Sequence, residues 1–125
     1  MPLLVASHVA HRAVSSWAAN RSLVLCGHAL AETYSVLTRL PGDARLAPAD
    51  AALLIDENFI VNLPPSPEAA STAHRSFASL GITGGAIYDG LVAMAAREHD
   101  LVLATRDARA MPTYEAVGVQ VEVVV

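Results

Sequence analysis

Apolar residues recur along this chain at two spacings, and the alternation between them outlines a fold. From Ser7 to Asn20, the residues Val9, Ala10, Ala13, Val14 and Trp17 fall at helical intervals, which predicts a helix. "SLVLCG" follows as a short buried strand, and Ala29 to Leu40 reads as helix until "LPGD" stops it. The apolar stripe of that helix is Leu30, Tyr34, Leu37 and Leu40. From Pro48 to Phe59, the positions Ala52, Leu53, Ile55, Asp56 and Phe59 repeat at helical spacing, and "FIVNLPP" is a strand closed by prolines. "SPEAASTAHRSFASLG" opens on a Ser66 cap with Pro67 at the first helical position, and ends on Gly81. A helix over 86–99, the strand "LVLATR", a turn or short helix at "ARAMPTYEAVG" and a last strand "VQVEVVV" complete the chain. In that last strand Val119, Val121 and Val123 alternate with Gln120 and Glu122, as on a half-exposed edge.

Strands alternating with helices predict an α/β fold whose parallel sheet is covered on both faces. Ligands of such sheets sit beyond the carboxyl ends of the strands. Asp107 lies at that place, just past "LVLATR". It has a second reading as an Asx turn or N-cap for the segment from Ala108, with Thr105 two residues earlier able to bond the same group. Asp89 opens the helix over 86–99 and shares a line with Val92, Ala93 and Ala96. It is either an acid in the first turn, favoured by the helix dipole, or a carboxylate aimed over the sheet's end into a pocket. Glu32 lies nearly opposite the apolar stripe of its helix, where periodicity assigns a solvated surface residue. Three carboxylates gathered at one sheet edge would repel one another unless a cation neutralised them, and an all-oxygen set suits Mg²⁺ or Mn²⁺ over zinc.

Composition narrows the alternatives. The 125 residues are 54% hydrophobic and 16% charged, enough for one compact domain and unlike a disordered chain. No apolar run approaches the roughly 18 residues a spanning helix needs, so no membrane role is expected. "MPLLVASHVAHRAV" lacks the marks of a signal peptide, and the single Cys26 excludes an internal disulfide, so the expected setting is the cytoplasm. All eight basic residues are Arg, and the net charge of −4 argues against a broad nucleic-acid patch while leaving room for a nuclease with acids at a metal. The five histidines show no zinc spacing, and "GITGGA" fits neither a dinucleotide fingerprint nor a P-loop. The lack of a phosphate-cradling loop disfavours an unrelated phosphatase or nucleotide-binding domain. No G-x-S-x-G occurs, Cys26 reads as a small buried hydrophobe, and Trp17 and Tyr34 sit at core spacing.

"LAETYSVLTRLP", "GGAIYDGLVAMAAREHD" and "LVLATRDARAMPTYEAVGVQV" resemble, in order and over nearly the whole chain, the signature segments of PIN-domain proteins, in particular VapC toxins of bacterial VapBC toxin–antitoxin pairs. The resemblance implies a three-layer sandwich, a central parallel sheet flanked by helices, in one domain over residues 1–125. It implies a metal-dependent endoribonuclease cutting structured RNA such as tRNA or rRNA with a metal-activated water. Glu32, Asp89 and Asp107 would hold Mg²⁺ or Mn²⁺, with Thr105 in support and Arg106 or Arg109 on phosphate. Glu32 thereby changes from surface residue to ligand. The implied partners are a VapB-type antitoxin, RNA and a second copy of the chain in a homodimer. Such proteins begin with a strand carrying a further Asp. Here "MPLLVASHVAHRAV" resembles what comes just after it, so the first strand is expected to be missing or to lie upstream of Met1. The alternative function is a catalytically incomplete PIN domain that dimerises or binds antitoxin.

Overall fold

A computed structural model of the chain describes residues 11–19, 21–59 and 62–124. The expectation of a missing first strand, Ser7–Ala10 and Asn20 of the first expected helix, Ile60 and Val61 of "FIVNLPP" and Val125 of the last strand lie outside those residues. The described elements alternate as the sequence predicts: α1 (His11–Ala18), β1 (Leu25–Cys26), α2 (Ala29–Thr38), α3 (Pro48–Asn58), β2 (Asn62–Leu63), α4 (Pro67–Leu80), α5 (Ala86–Glu98), β3 (Leu103–Thr105), α6 (Met111–Val117) and β4 (Val121–Val123). The fold is α/β. Its strands are short, and among the described residues they form two two-stranded sheets, β1 with β2 and β3 with β4. The latter is parallel, with Leu103 opposite Val121, Ala104 opposite Glu122 and Thr105 opposite Val123.

The described residues form two compact units, one holding residues up to Leu25 and Ala29–Asn62, the other Cys26–His28 and Leu63–Val124. In the first unit, Leu25, Leu37, Ala51 and Ile55 make a buried cluster, with Ala29, Leu40, Leu46, Leu54 and Phe59 packed around it. Two of the predicted stripes shift here. On α2 the structure buries Thr33 and Leu37 and leaves Leu30 and Tyr34 40% and 38% exposed, so Tyr34 is no core residue. Thr33 is tolerated inside because its hydroxyl donates to the Ala29 carbonyl at 2.7 Å, which leaves no polar group unpaired. On α3 the inward positions are Ala51 and Ile55, while Ala52 and Leu53 face out. A stripe four residues apart fits α3 as well as the predicted one, and only packing against α2 selects it.

The second unit is built on α5. Its buried residues are Gly90, Val92, Ala93, Ala95 and Ala96, a small-residue face that lets neighbouring elements come close. Phe77 of α4 uses that space: a Cβ on Gly90 would stand 2.8 Å from its ring. Ala73, Phe77, Ile82, Ala93, Ala110, Tyr114 and Val117 complete the core. As the sequence predicts, Ser66 caps α4, accepting from the Ala69 N–H at 3.1 Å, and Gly81 ends it in the left-handed region at φ 72°. Glu98 of α5 accepts from both the Ser66 N–H (2.9 Å) and its hydroxyl (3.2 Å), fastening the start of α4 to the end of α5. Val119 and Val121 pack on this core, but Val123 is exposed and Val124 buried, so the alternation predicted for the last strand breaks at its end.

Candidate metal centre

Two turns of the second unit carry its candidate acids, and the charge of one acts on the other. Asp89 stands in the first turn of α5, and Val92, Ala93 and Ala96 below it are all buried, which holds the helix and hence the carboxylate in place. Asp107 follows β3, whose last residue, Thr105, accepts from the Asp107 N–H through its hydroxyl at 3.0 Å. The Asp107 carboxylate in turn accepts from the Arg109 N–H at 2.9 Å and caps the short 3₁₀ turn Ala108–Ala110. The capping reading of Asp107 is therefore correct, and the supporting role of Thr105 takes a definite form: it fixes the backbone from which Asp107 projects. One carboxylate oxygen is engaged by the cap, and the other is left for further ligands.

Electrostatics links the pair. Burial raises the pKa of Asp89 above its ordinary value, and the negative charge of Asp107 raises it further. Both effects disfavour the ionised form. A cation held by the two carboxylates would favour their ionised forms and offset both effects. Carboxylate and hydroxyl oxygens are hard donors, and Mg²⁺ is commonly held by one or two carboxylates with waters completing its shell. Asp89 and Asp107 thus fit Mg²⁺ or Mn²⁺ by donor chemistry. Among the described residues, no three His, Cys, Asp or Glu side chains gather closely enough to hold an ion together.

The remaining predicted residues divide by unit. Arg106 and Arg109 are exposed beside Asp107, and the Arg109 Nε lies 3.6 Å from its Oδ1. That ion pair is open to water, 95% and 50% exposed on its two sides, so it contributes little stability and leaves the guanidinium available. Glu32 belongs to the first unit, in the first turn of α2, and is exposed as its helical position predicts. Cys26 is buried as expected, and burial pushes its thiol pKa up, which makes it a poor nucleophile.

Three residues near Asp89 escaped the sequence reading. Gly27 (φ +56°) lies so close to α5 that a Cβ there would come within 2.7 Å of the Leu91 carbonyl oxygen and 2.9 Å of the Val92 nitrogen. Next to it, the His28 ring meets the ring of Tyr88 edge to face, 5.4 Å between centroids and 74° between planes. Sequence spacing tests a histidine against zinc and a tyrosine against an apolar stripe, so neither test finds a ring pair made by a loop and a helix. The cleft lined by Phe77, Leu80, Met94, Arg97, Glu98 and Val117 contains none of the predicted residues.

Comparison with known proteins sets this geometry among relatives. The family model for the PIN domain matches residues 2–115. Over 123 residues the chain is 59% identical to Ribonuclease VapC27 of Mycobacterium tuberculosis (strain ATCC 25618 / H37Rv), spanning 98% of this chain and 90% of that protein. Over 121 residues it is 42% identical to Ribonuclease VapC40 of Mycobacterium tuberculosis (strain CDC 1551 / Oshkosh), spanning 94% of this chain and 87% of that protein. No solved structure matches the chain.

Proposed function

The chain belongs to the PIN-domain family, and from that membership we propose that it is a metal-dependent endoribonuclease, the toxin of a type II toxin–antitoxin pair. Two relatives named as ribonucleases, each aligned over nearly the whole chain, support the reaction class. What supports the assignment to a site is that Asp89 and Asp107, two hard-oxygen donors, share one unit, with the charge of Asp107 adding to burial in raising the Asp89 pKa, an effect a divalent cation would offset.

In this reading Asp89 and Asp107 hold Mg²⁺ or Mn²⁺, and the family resemblance alone adds Glu32 to the set. Such an ion, when bound, lowers the pKa of a water and offsets the charge of a phosphodiester. The protein's own part is positional. Thr105 holds the Asp107 backbone, and the cap to Arg109 fixes the carboxylate, so that side keeps its geometry when RNA arrives. Arg106 and Arg109, exposed on the same turn, contact phosphate in the substrate. The substrate class is structured RNA such as tRNA or rRNA, and the setting is the cytoplasm. Among the described residues, no helix is long and apolar enough to cross a membrane. The chain is read as one domain over residues 1–125, a reading supported by the family model that matches residues 2–115. A VapB-type antitoxin silences the site, and the chain works as a homodimer.

The test is cleavage of a pooled tRNA and rRNA preparation with Mg²⁺, with EDTA, and by the Asp89→Asn variant. Cleavage by the wild type alone, and only with metal, supports the reading. Cleavage that survives both EDTA and the substitution overturns it. Silence of the wild type, with retained antitoxin binding, selects the second reading, a dimerising or antitoxin-binding module. That reading draws on the finding that, among the described residues, no three His, Cys, Asp or Glu side chains are grouped to hold an ion.

A further inference from the structure

Tyr88 immediately precedes the candidate ligand Asp89, yet it is 50% exposed while the residues one turn further along α5 are buried. An aromatic ring held half in water beside a charged site does little for the core. Its orientation is nonetheless determined. The His28 ring packs edge to face with it at 5.4 Å, an arrangement that limits rotation of both rings. His28 is itself set by Gly27, whose left-handed φ and missing Cβ let the loop press against the α5 backbone at Leu91 and Val92. The Gly27 N–H donates to the Leu63 carbonyl at 3.1 Å, fixing the same loop from its other side. A glycine, a backbone hydrogen bond and a ring contact thus hold an open aromatic surface one residue from the acid pair.

From this arrangement we infer that Tyr88, braced by His28, forms a stacking platform for an unpaired nucleobase next to the phosphodiester addressed by Asp89 and Asp107. The inference rests on the ribonuclease reading and adds to it the side chains that take the base beside the cut phosphodiester. Proteins that read unpaired RNA place bases on exposed Tyr, Phe, Trp or His rings, because every base offers a π-face and a duplex hides it. The exposed Arg106 and Arg109, on the turn that carries Asp107, suit the flanking phosphates. At a net charge of −4 the chain gains little from general attraction to a phosphate backbone, so a local stack carries more of its affinity.

Binding without cleavage tests this independently of the nuclease assignment. The probe is a short single-stranded oligoribonucleotide carrying one 2-aminopurine, with a blunt RNA duplex of the same sequence as control, titrated with Ca²⁺ in place of Mg²⁺. With the wild type, aminopurine fluorescence is quenched on saturation of the single strand. Tyr88→Ala abolishes the quench and weakens binding by roughly 5- to 150-fold, the range carried by one base–aromatic stack. Tyr88→Phe keeps both, and His28→Ala gives an intermediate loss with an unchanged far-UV CD spectrum. The inference is overturned by no quench with the wild type, by equal affinity in Tyr88→Ala, or by a Tyr88 dependence as large on the duplex. Absence of quench with a wild type that still cleaves the RNA pool under Mg²⁺ overturns the platform alone. Intact quench with no cleavage by the wild type counts against the nuclease reading and leaves the base site standing.

Discussion

Asp89 and Asp107 are coupled: burial first, and the charge of Asp107 second, hold the Asp89 carboxyl above its ordinary pKa. The two side chains come from different elements, the first turn of α5 and the turn after β3, and their proximity costs the fold stability wherever both are ionised. Proteins keep such pairs where a cation or a reaction repays them.

The sign of the pH dependence follows. Because the folded-state pKa of Asp89 is raised, the folded chain binds the proton more tightly than the unfolded chain. Stability contributed by the protonated group is full below the unfolded carboxylate pKa and is lost as pH rises through the folded value. Asp89→Asn, which stays neutral, melts at a higher temperature than the metal-free wild type at pH 7. The difference shrinks towards zero as pH falls below the carboxylate range. Thermal melts in EDTA across pH 3–8 measure it, and a lower Tm for the variant at pH 7 would contradict the coupling.

Metal reverses that ranking. At a Mg²⁺ or Mn²⁺ concentration about 100 times its Kd, the wild type gains about 2.7 kcal/mol by mass action. Neither Asp89→Asn nor Asp107→Asn shows that gain. Calorimetric scans with and without metal test this, and an equal rise in all three proteins would place the ion elsewhere.

Glu32 is exposed on α2, so its replacement opens no cavity in the core. Glu32→Gln leaves stability within about 0.5 kcal/mol of wild type. RNA cleavage under Mg²⁺ falls by at least about 100-fold. Parallel urea melts and cleavage assays check it. Cleavage at the wild-type rate removes Glu32 from the ligand set.

At Gly27 the backbone of α5 leaves no room for a side chain. Gly27→Ala must shift either the loop or the helix backbone and also holds alanine at φ +56°, a combined cost of about 1–3 kcal/mol or more. Urea denaturation reads the loss, and a neutral result would mean that the loop moves freely off α5.

Gly90 meets the tip of the Phe77 ring, so Gly90→Ala overpacks the second unit by about 1–3 kcal/mol. The double variant with Phe77→Leu recovers part of that loss, because the ring is the obstacle. A double-mutant cycle measures the coupling, and strict additivity would show that Phe77 already yields.

Sequence periodicity carried far because most elements here are specified locally. Ser66, Pro67 and Gly81 mark α4 through bonds and dihedrals within a few residues, and the small-residue line below Asp89 marks the buried face of α5. Where a helix offered two comparable stripes, periodicity chose differently from the structure. On α2 it selected Leu30 and Tyr34 over Thr33, since a threonine satisfied by its own helix carbonyl looks polar in sequence and behaves as apolar in place. The acids divide in the same way. Each of Glu32, Asp89 and Asp107 was open to a solvent or capping role when read singly, and the resemblance of three ordered segments supplied the grouping.

What the sequence determined by itself was the alternation of helices and strands, their caps, and the acids at their ends, because these follow from interactions within a turn or two of chain. Tertiary structure decided which stripe faces inward, that Asp107 both caps its turn and presses on Asp89, and that Gly27 sets His28 against Tyr88. The last two of those relationships join residues eighteen to more than sixty positions apart. No local spacing encodes them, and they exist only once the core has fixed the distance between elements.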